Sequence, residues 1–157
     1  MSSLAPDDRE LCAAAAAAAA RAYEPYSGFS VGAAVRTRSG AIHSGSNLEV
    51  AAYRLGTCAE VTAISRANAD GDFDITTIAI VGHPTGRPGA GLEIVTPCGG
   101  CRQMIMEASQ VAGGDIKVIS CDGTLTRCLV APISVLLPYA FGPRNLGIDV
   151  ARHRRKA

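Results

Sequence analysis

The sequence has no tryptophan, and only three phenylalanines and four tyrosines stand among its 157 residues. A core built without large rings must be aliphatic and rich in small side chains, and a 48% share of apolar residues is enough to supply one. An excess of charge of either sign is also missing. Fifteen Lys and Arg against fourteen Asp and Glu leave a formal charge of +1, which argues against a surface built throughout for nucleic acid. No apolar run is long enough to span a bilayer. The N-terminus has neither the basic region nor the apolar stretch of a signal peptide, and the run Ala13 to Ala20 is helix-forming rather than strongly apolar. Internal repeats and a linker are absent too. The length predicts a single domain over residues 1–157, with a core of about 7–147 and a basic tail, 148–157, expected to be disordered.

What the chain does have is cysteine. Six cysteines without a secretion signal favour a reducing compartment, and the expected location is cytoplasmic. Three of them fall in two short stretches, Thr57-Cys58-Ala59-Glu60 and Pro97-Cys98-Gly99-Gly100-Cys101. Each stretch reads as the start of a helix, where the helix dipole stabilises a thiolate. Thiolates from Cys58, Cys98 and Cys101 can hold one Zn²⁺ and leave the fourth tetrahedral position open, the property that separates a catalytic zinc site from a structural one. By itself, Cys98-x-x-Cys101 reads equally well as a redox pair or half of a structural zinc site. Cys58-Ala59-Glu60 upstream and the preceding Pro97 favour the catalytic reading. Glu60 is the candidate general acid/base, a carboxylate beside the open metal position that can carry protons in turn. A glutamate that only satisfies a helix N-terminus is the plainer alternative. Three thiolates and one Zn²⁺ sum to −1, and two helix dipoles are the first candidates to offset it. Cys12, Cys121 and Cys128 are left over and read as small buried residues or free thiols.

The rest of the chain supplies an α/β pattern. Asp7, Asp8 and Glu10 precede a helix over Leu11 to Tyr23, stopped by Pro25. Val31 to Arg38 and Ala41 to Asn47 predict two strands joined at Ser39-Gly40. Gly32 and Gly45 predict close backbone approaches, as a crowded site would need. A second helix spans Cys58 to Ala69, a central strand Ile75 to Val81, and a long loop His83 to Gly91. A third helix covers Cys98 to Val111. Strands Ile116 to Ser120 and Leu125 to Val130 follow, joined at Asp122-Gly123, and a short helix covers Pro132 to Leu137. Helices before, between and after five strands predict a three-layer α/β/α sandwich around a five-stranded mixed sheet. Asn47 and Glu49 share one face of a strand end by alternation, and an amide beside a carboxylate suits a diol. Read alone, they could equally be a polar strand end, and Phe29, Tyr53 and Phe141 would be core residues.

Taken together, Pro25 to Ala34, Asn47-Leu48-Glu49, Ala51-Ala52-Tyr53, Cys58-Ala59-Glu60, Pro97 to Gln103 and Leu136 to Phe141 resemble the cytidine deaminase family. The metal motif is the zinc-deaminase signature, and the match runs from about Tyr23 to Leu146. The resemblance implies a cytidine-deaminase-like fold and the zinc-dependent hydrolysis of cytidine or 2′-deoxycytidine to the uridine form and ammonia, a pyrimidine salvage reaction. It implies one Zn²⁺ per chain on Cys58, Cys98 and Cys101, with Glu60 catalytic. It also implies Asn47 and Glu49 on the ribose 3′-hydroxyl, and Phe29 packed on the pyrimidine ring. Tyr53 would stand on a sugar-side wall at a subunit boundary, Phe141 would come from a neighbouring subunit, and the N–H groups of Ala59 and Cys98 would meet the base. The expected partners are a nucleoside and further copies of the chain, most often as a homotetramer, with no nucleic acid and no membrane. Three departures stand out: Val61 where the family's tetrameric members usually carry Arg, Val50 in place of a common Asn, and the long loop from His83. Arg54 or Arg102 is expected to take over part of the missing Arg's role. Blasticidin-type deaminases share the cysteine motifs and can lack that Arg, so a modified aminopyrimidine nucleoside such as blasticidin S is the alternative substrate. A deaminase of polynucleotides, a structural zinc module and a thiol redox protein are the other classes. His43 and His83 are not expected on the metal.

Overall fold

The computed structural model describes residues 4–154. Helix α1 spans Pro6–Ala19, β1 Phe29–Thr37, β2 Ile42–Ser46, α2 Ala59–Ala69, β3 Ile75–Pro84, α3 Gly99–Ala112, β4 Lys117–Cys121, β5 Cys128–Pro132 and α4 Ile133–Leu136. The strands form one five-stranded sheet in the order β2-β1-β3-β4-β5. Only β3 and β4 run parallel; the other neighbours are antiparallel. The α3 segment connects the parallel pair, because parallel neighbours need a crossover.

Strand alternation sorts the core into two layers. Ala33 and Val35 of β1, Ile78 and Ile80 of β3 and Val118 of β4 pack with Ala63, Ile64 and Ala67 of α2, Ile105 and Ala108 of α3 and Ile133 of α4. Ala34, Ala79, Val81, Ile119 and Cys121 face the other way, onto Leu11, Cys12 and Ala15 of α1. The small residues that replace aromatics let helices sit close to the sheet. Gly32 shows how close: a Cβ there would lie 2.0 Å from the Ala15 carbonyl oxygen and 2.3 Å from the Ala19 nitrogen. Both obstacles are backbone, so neither can swing aside. Gly32→Ala is therefore expected to destabilise the fold by about 3 kcal/mol or more, read as a fall in the urea midpoint; an unchanged midpoint would contradict this packing. The approach is to α1, on the face away from the two cysteine motifs, and so Gly32 does not serve the site. Gly45 does pack on that side, against Ala63 and Thr62 of α2.

Several boundaries differ from expectation. α1 stops at Ala19 rather than Tyr23. Tyr23 instead bridges Leu48 in parallel, its N–H donating to the Asn47 carbonyl and its carbonyl accepting from the Glu49 N–H. β3 runs on to Pro84 because Ser30 and Phe29 of β1 pair with His83 and Pro84, so the expected loop begins later. The link from β4 to β5 is a loop over 122–127, not a tight hairpin. Asp122 is fully buried, and its carboxylate accepts from the Thr126 and Arg127 N–H groups and the Thr124 and Thr126 hydroxyls. Those bonds hold the chain in a wider turn and delay β5 to Cys128. The described part of the tail makes contacts with the body of the fold. Arg154 donates from Nε to the Val111 carbonyl at 2.7 Å, and its own carbonyl accepts from Phe73 N–H at 2.8 Å. The chain is thus docked on α3 as far as Arg154; residues 155–157 of the tail lie outside the described residues.

Candidate metal centre and cleft

Helices α2 and α3 lie on one face of the sheet and bring their first turns together. Cys58 is the N-cap of α2 and Cys98 the N-cap of α3, while Cys101 sits in the first turn of α3. Both caps are extended, and both carbonyls already accept a helical bond: Cys58 from Thr62 N–H, Cys98 from Arg102 N–H. The Cys98 sulfur also accepts from the Cys101 N–H at 3.5 Å. That bond, the largest influence on it, draws the Cys98 thiol below its ordinary range. Burial pushes the Cys101 thiol far up and the Cys58 thiol up, with Glu60 adding like-charge repulsion to both.

The Sγ atoms of Cys58, Cys98 and Cys101 all lie within 4.8 Å of one another, and among the described residues no fourth His, Cys, Asp or Glu joins them. Tetrahedral ligands about 2.3 Å from a zinc ion stand roughly 3.8 Å apart, so the trio is close enough to share one. Desolvation that opposes bare thiolates is the setting in which a divalent cation is needed to hold them ionised. Neither His43 nor His83 belongs to the cluster. His43 pairs with Asp70 at the far end of α2, and His83 contacts the Pro84 carbonyl.

Glu60 follows Cys58 by two residues in the first turn of α2 and is only 5% exposed. Burial raises its carboxyl pKa, against hydrogen bonding that lowers it. It stands beside the sulfurs without belonging to the trio. Its position is the wall of a cleft of about 470 Å³, which also takes in Phe29, Asn47, Glu49, Tyr53, Cys58, Ala59 and Cys98. Volumes of about 300–1,000 Å³ are usual for small-molecule sites.

Asn47 and Glu49, which line the same cleft, are fixed in place by backbone contacts. The Asn47 side chain docks on β1 as a strand would: Oδ1 accepts from Val31 N–H at 2.8 Å and Nδ2 donates to the Phe29 carbonyl at 3.0 Å. Glu49 Oε2 accepts from the N–H groups of Tyr26 and Ser27 at 2.9 and 3.1 Å. Hydrogen bonds from the Ser27 side chain and from these amides hold its carboxyl below the usual range. Tyr53 is 78% exposed and stacks edge-on against Tyr26, ring centroids 5.8 Å apart. Phe141 is not brought to the cleft. It lies beyond α4, 61% exposed, with its carbonyl accepting from Gln103.

Val31, Val95 and Thr96 line the cleft as well, and sequence reading passed over them. Val31 was within reach, two residues along the strand from Phe29 and so on its face. Val95 and Thr96 come from the segment before Pro97, which carries no periodicity to betray it.

Arg102 does not take up the role expected from the absent Arg at position 61 in any direct way. Its Nε donates to the Pro97 carbonyl at 2.9 Å and its Nη1 to the Leu136 carbonyl at 3.1 Å. It ties α4 to the turn that delivers Cys98, and so positions a ligand. Arg102→Ala is expected to weaken zinc retention by about tenfold or more, measured by competition with a chromogenic chelator. Retention equal to the parent protein would remove this positioning role. Arg54 is exposed on the turn beside Tyr53.

A family model described as the cytidine and deoxycytidylate deaminase zinc-binding region matches residues 5–112. The chain is 39% identical over 127 residues to a cytidine deaminase of Halalkalibacterium halodurans, across 80% of this chain and 86% of the relative. It is 35% identical over 112 residues to a blasticidin-S deaminase of Bacillus cereus, across 71% of this chain and 76% of that one. The crystal structure of a cytidine deaminase from Burkholderia pseudomallei superposes with a TM-score of 0.72 at 36% identity, covering 85% of this chain and 98% of its own.

Proposed function

The chain belongs to the zinc-binding cytidine and deoxycytidylate deaminase family, and from that premise we propose that it hydrolyses the 4-amino group of cytidine and 2′-deoxycytidine, releasing ammonia. The observation that carries the reading is one cleft lined by two members of a three-sulfur cluster, by a buried carboxylate and by an anchored amide–carboxylate pair. A zinc ion held by Cys58, Cys98 and Cys101 supplies Lewis acidity, able to bring the pKa of water from about 15.7 to about 7.

The chain's own residues supply the rest. Glu60 takes one proton from the attacking water and passes it to the pyrimidine ring nitrogen, then takes a second from the hydroxyl so formed and passes it to the amine as the C–N bond breaks and ammonia leaves. Its burial suits that work, because desolvation raises its carboxyl pKa and so eases protonation of the carboxylate. Ala59, buried behind the cleft in the first turn of α2, offers its N–H to the base. Phe29 and Val31 form an apolar wall for the ring. Asn47 retains one amide hydrogen beyond its bond to Phe29, and the Glu49 carboxylate has further lone pairs beyond the bonds it accepts from Tyr26 and Ser27, so each has capacity for a ribose hydroxyl.

The assembly is read as a homotetramer. Val135, Tyr139, Phe141, Leu146 and Ile148 are all exposed near the chain's end, as are Tyr53 and Leu55 beside the cleft. Large apolar side chains left to water in this number suit burial against further copies. A neighbour's Phe141 would then close a cleft that its own chain leaves open. Among the described residues no helix is long and apolar enough to cross a membrane, and a thiolate metal site suits the reducing cytoplasm.

The test is ammonia release from cytidine, 2′-deoxycytidine, deoxycytidylate, blasticidin S and a cytosine-containing single strand, with zinc measured on the same sample. Turnover of the two nucleosides at one zinc per chain is expected. Val61 and the Bacillus cereus relative favour including blasticidin S, and turnover of it alone would replace the nucleoside reading. Activity only on the single strand would overturn both.

A further inference from the structure

Three cysteines have no place in the cleft, and two of them touch. Cys12 comes from the middle of α1 and Cys121 from the end of β4, separated by 109 positions in the chain. Their Sγ atoms lie 3.5 Å apart, the Cys121 thiol donating to the Cys12 sulfur. Both residues are fully buried, packed with Leu11, Ala15, Val81 and Ile119 in the layer between α1 and the sheet. That layer is on the other face of the sheet from the zinc ligands. Cys128, half-buried, pairs with Cys121 across the antiparallel β4–β5 ladder. It does not complete a metal site: among the described residues the trio placed to share an ion is Cys58, Cys98 and Cys101.

We propose that Cys12 and Cys121 are an oxidisable pair that peroxide converts to a disulfide, stapling α1 to β4 without touching the catalytic cleft. The chemistry balances with hydrogen peroxide as the named oxidant. The Cys12 thiolate attacks one peroxide oxygen, the O–O bond breaks, and water leaves with the Cys12 proton, giving a sulfenic acid. The Cys121 sulfur then attacks the Cys12 sulfur, the S–O bond breaks, and a second water carries off the Cys121 proton. Two thiols are oxidised and one peroxide is reduced to two waters. The same hydrogen bond that pushes the Cys121 thiol up draws the Cys12 thiol down, so Cys12 is the sulfur that reacts first. The partner sulfur is already in van der Waals contact, which favours closure over further oxidation of the sulfenic acid.

A crosslink closing so long a loop restricts the unfolded chain strongly. The staple should therefore raise stability and leave turnover unchanged, since neither residue lines the cleft. The experiment treats zinc-loaded protein with hydrogen peroxide, then blocks free thiols and maps peptides by mass spectrometry. A peptide joined through Cys12 and Cys121 with loss of two hydrogens is expected, together with a Tm raised by about 5 °C and reversed by dithiothreitol. The Cys128→Ser variant should form the same bridge, and Cys12→Ala should neither form it nor gain in Tm. If Cys121→Ala folds poorly, Cys12→Ala alone decides the result. Recovery of a Cys121–Cys128 bridge, oxidation confined to Cys128, or a bridge without a rise in Tm would each overturn the proposal. Loss of zinc or of deaminase activity without the bridge would overturn it too. None of these outcomes depends on which nucleoside the enzyme accepts.

Discussion

Glu60→Gln should leave a folded, zinc-loaded protein with kcat reduced by about 10³-fold. The substitution keeps the shape of the side chain and its hydrogen-bonding reach but removes the proton it carries. Everything that positions it survives, because position comes from the first turn of α2 and the Cys58 cap rather than from the carboxylate. Stability should not fall. Burial holds the Glu60 carboxyl above its ordinary pKa, so in the metal-free protein ionisation is opposed by the fold. A group of this kind lends stability below its unfolded-state value of about 4.3, and that stability is lost as pH rises from there through its raised folded-state value. The neutral amide lacks that penalty, and metal-free Glu60→Gln should be at least as stable as the parent at pH 7. Zinc content, Tm and single-turnover rates on one preparation separate the two effects. A variant keeping more than a tenth of parental kcat would end the assignment of Glu60 as proton carrier.

The second large effect is expected from Cys101→Ala. Cys101 is only 1% exposed, and its sulfur is one of three that converge from two helix starts. Two sulfurs remain after the substitution, one of them on each helix. Zinc stoichiometry should fall from one per chain to near zero after dialysis, and turnover should fall with it. Stability should fall as well, because zinc binds the folded state far better than the unfolded one. A thousandfold loss of affinity removes about 4.1 kcal/mol of ligand-linked stability, or roughly 8–16 °C in Tm for a chain of this size. Adding excess chelator to the parent protein should reproduce most of that shift, and adding it to Cys101→Ala should do nothing. Full zinc retention by Cys101→Ala would mean that the ion is held elsewhere.

The two experiments probe features of different kinds, and the same difference explains what could be read in advance. Cys58, Glu60, Cys98 and Cys101 are set by local rules: a thiol at a helix N-cap, another one turn later, a carboxylate two residues on. Such spacings are written directly in the chain and survive any error in the rest of the fold. The sheet, its alternating core and the cap positions of both motifs were legible for the same reason. The structure differs where a specific hydrogen bond or bridge overrode the local periodicity. α1 ended early because Tyr23 had a partner at Leu48. β5 began late because buried Asp122 took the amides of Thr126 and Arg127. The tail looked like solvated charge until Arg154 found the Val111 carbonyl.

The sequence by itself determined which sulfurs can grip a metal and that a carboxyl stands two residues from one of them, since both follow from side-chain type and from spacing within one helical turn. Only the tertiary structure decided that two helix starts meet at one cleft, that the Asn47 side chain is locked to β1, and that Cys12 lies against Cys121. Those are contacts between segments far apart in the chain. They are fixed by which faces must be buried together, and no local pattern encodes that choice.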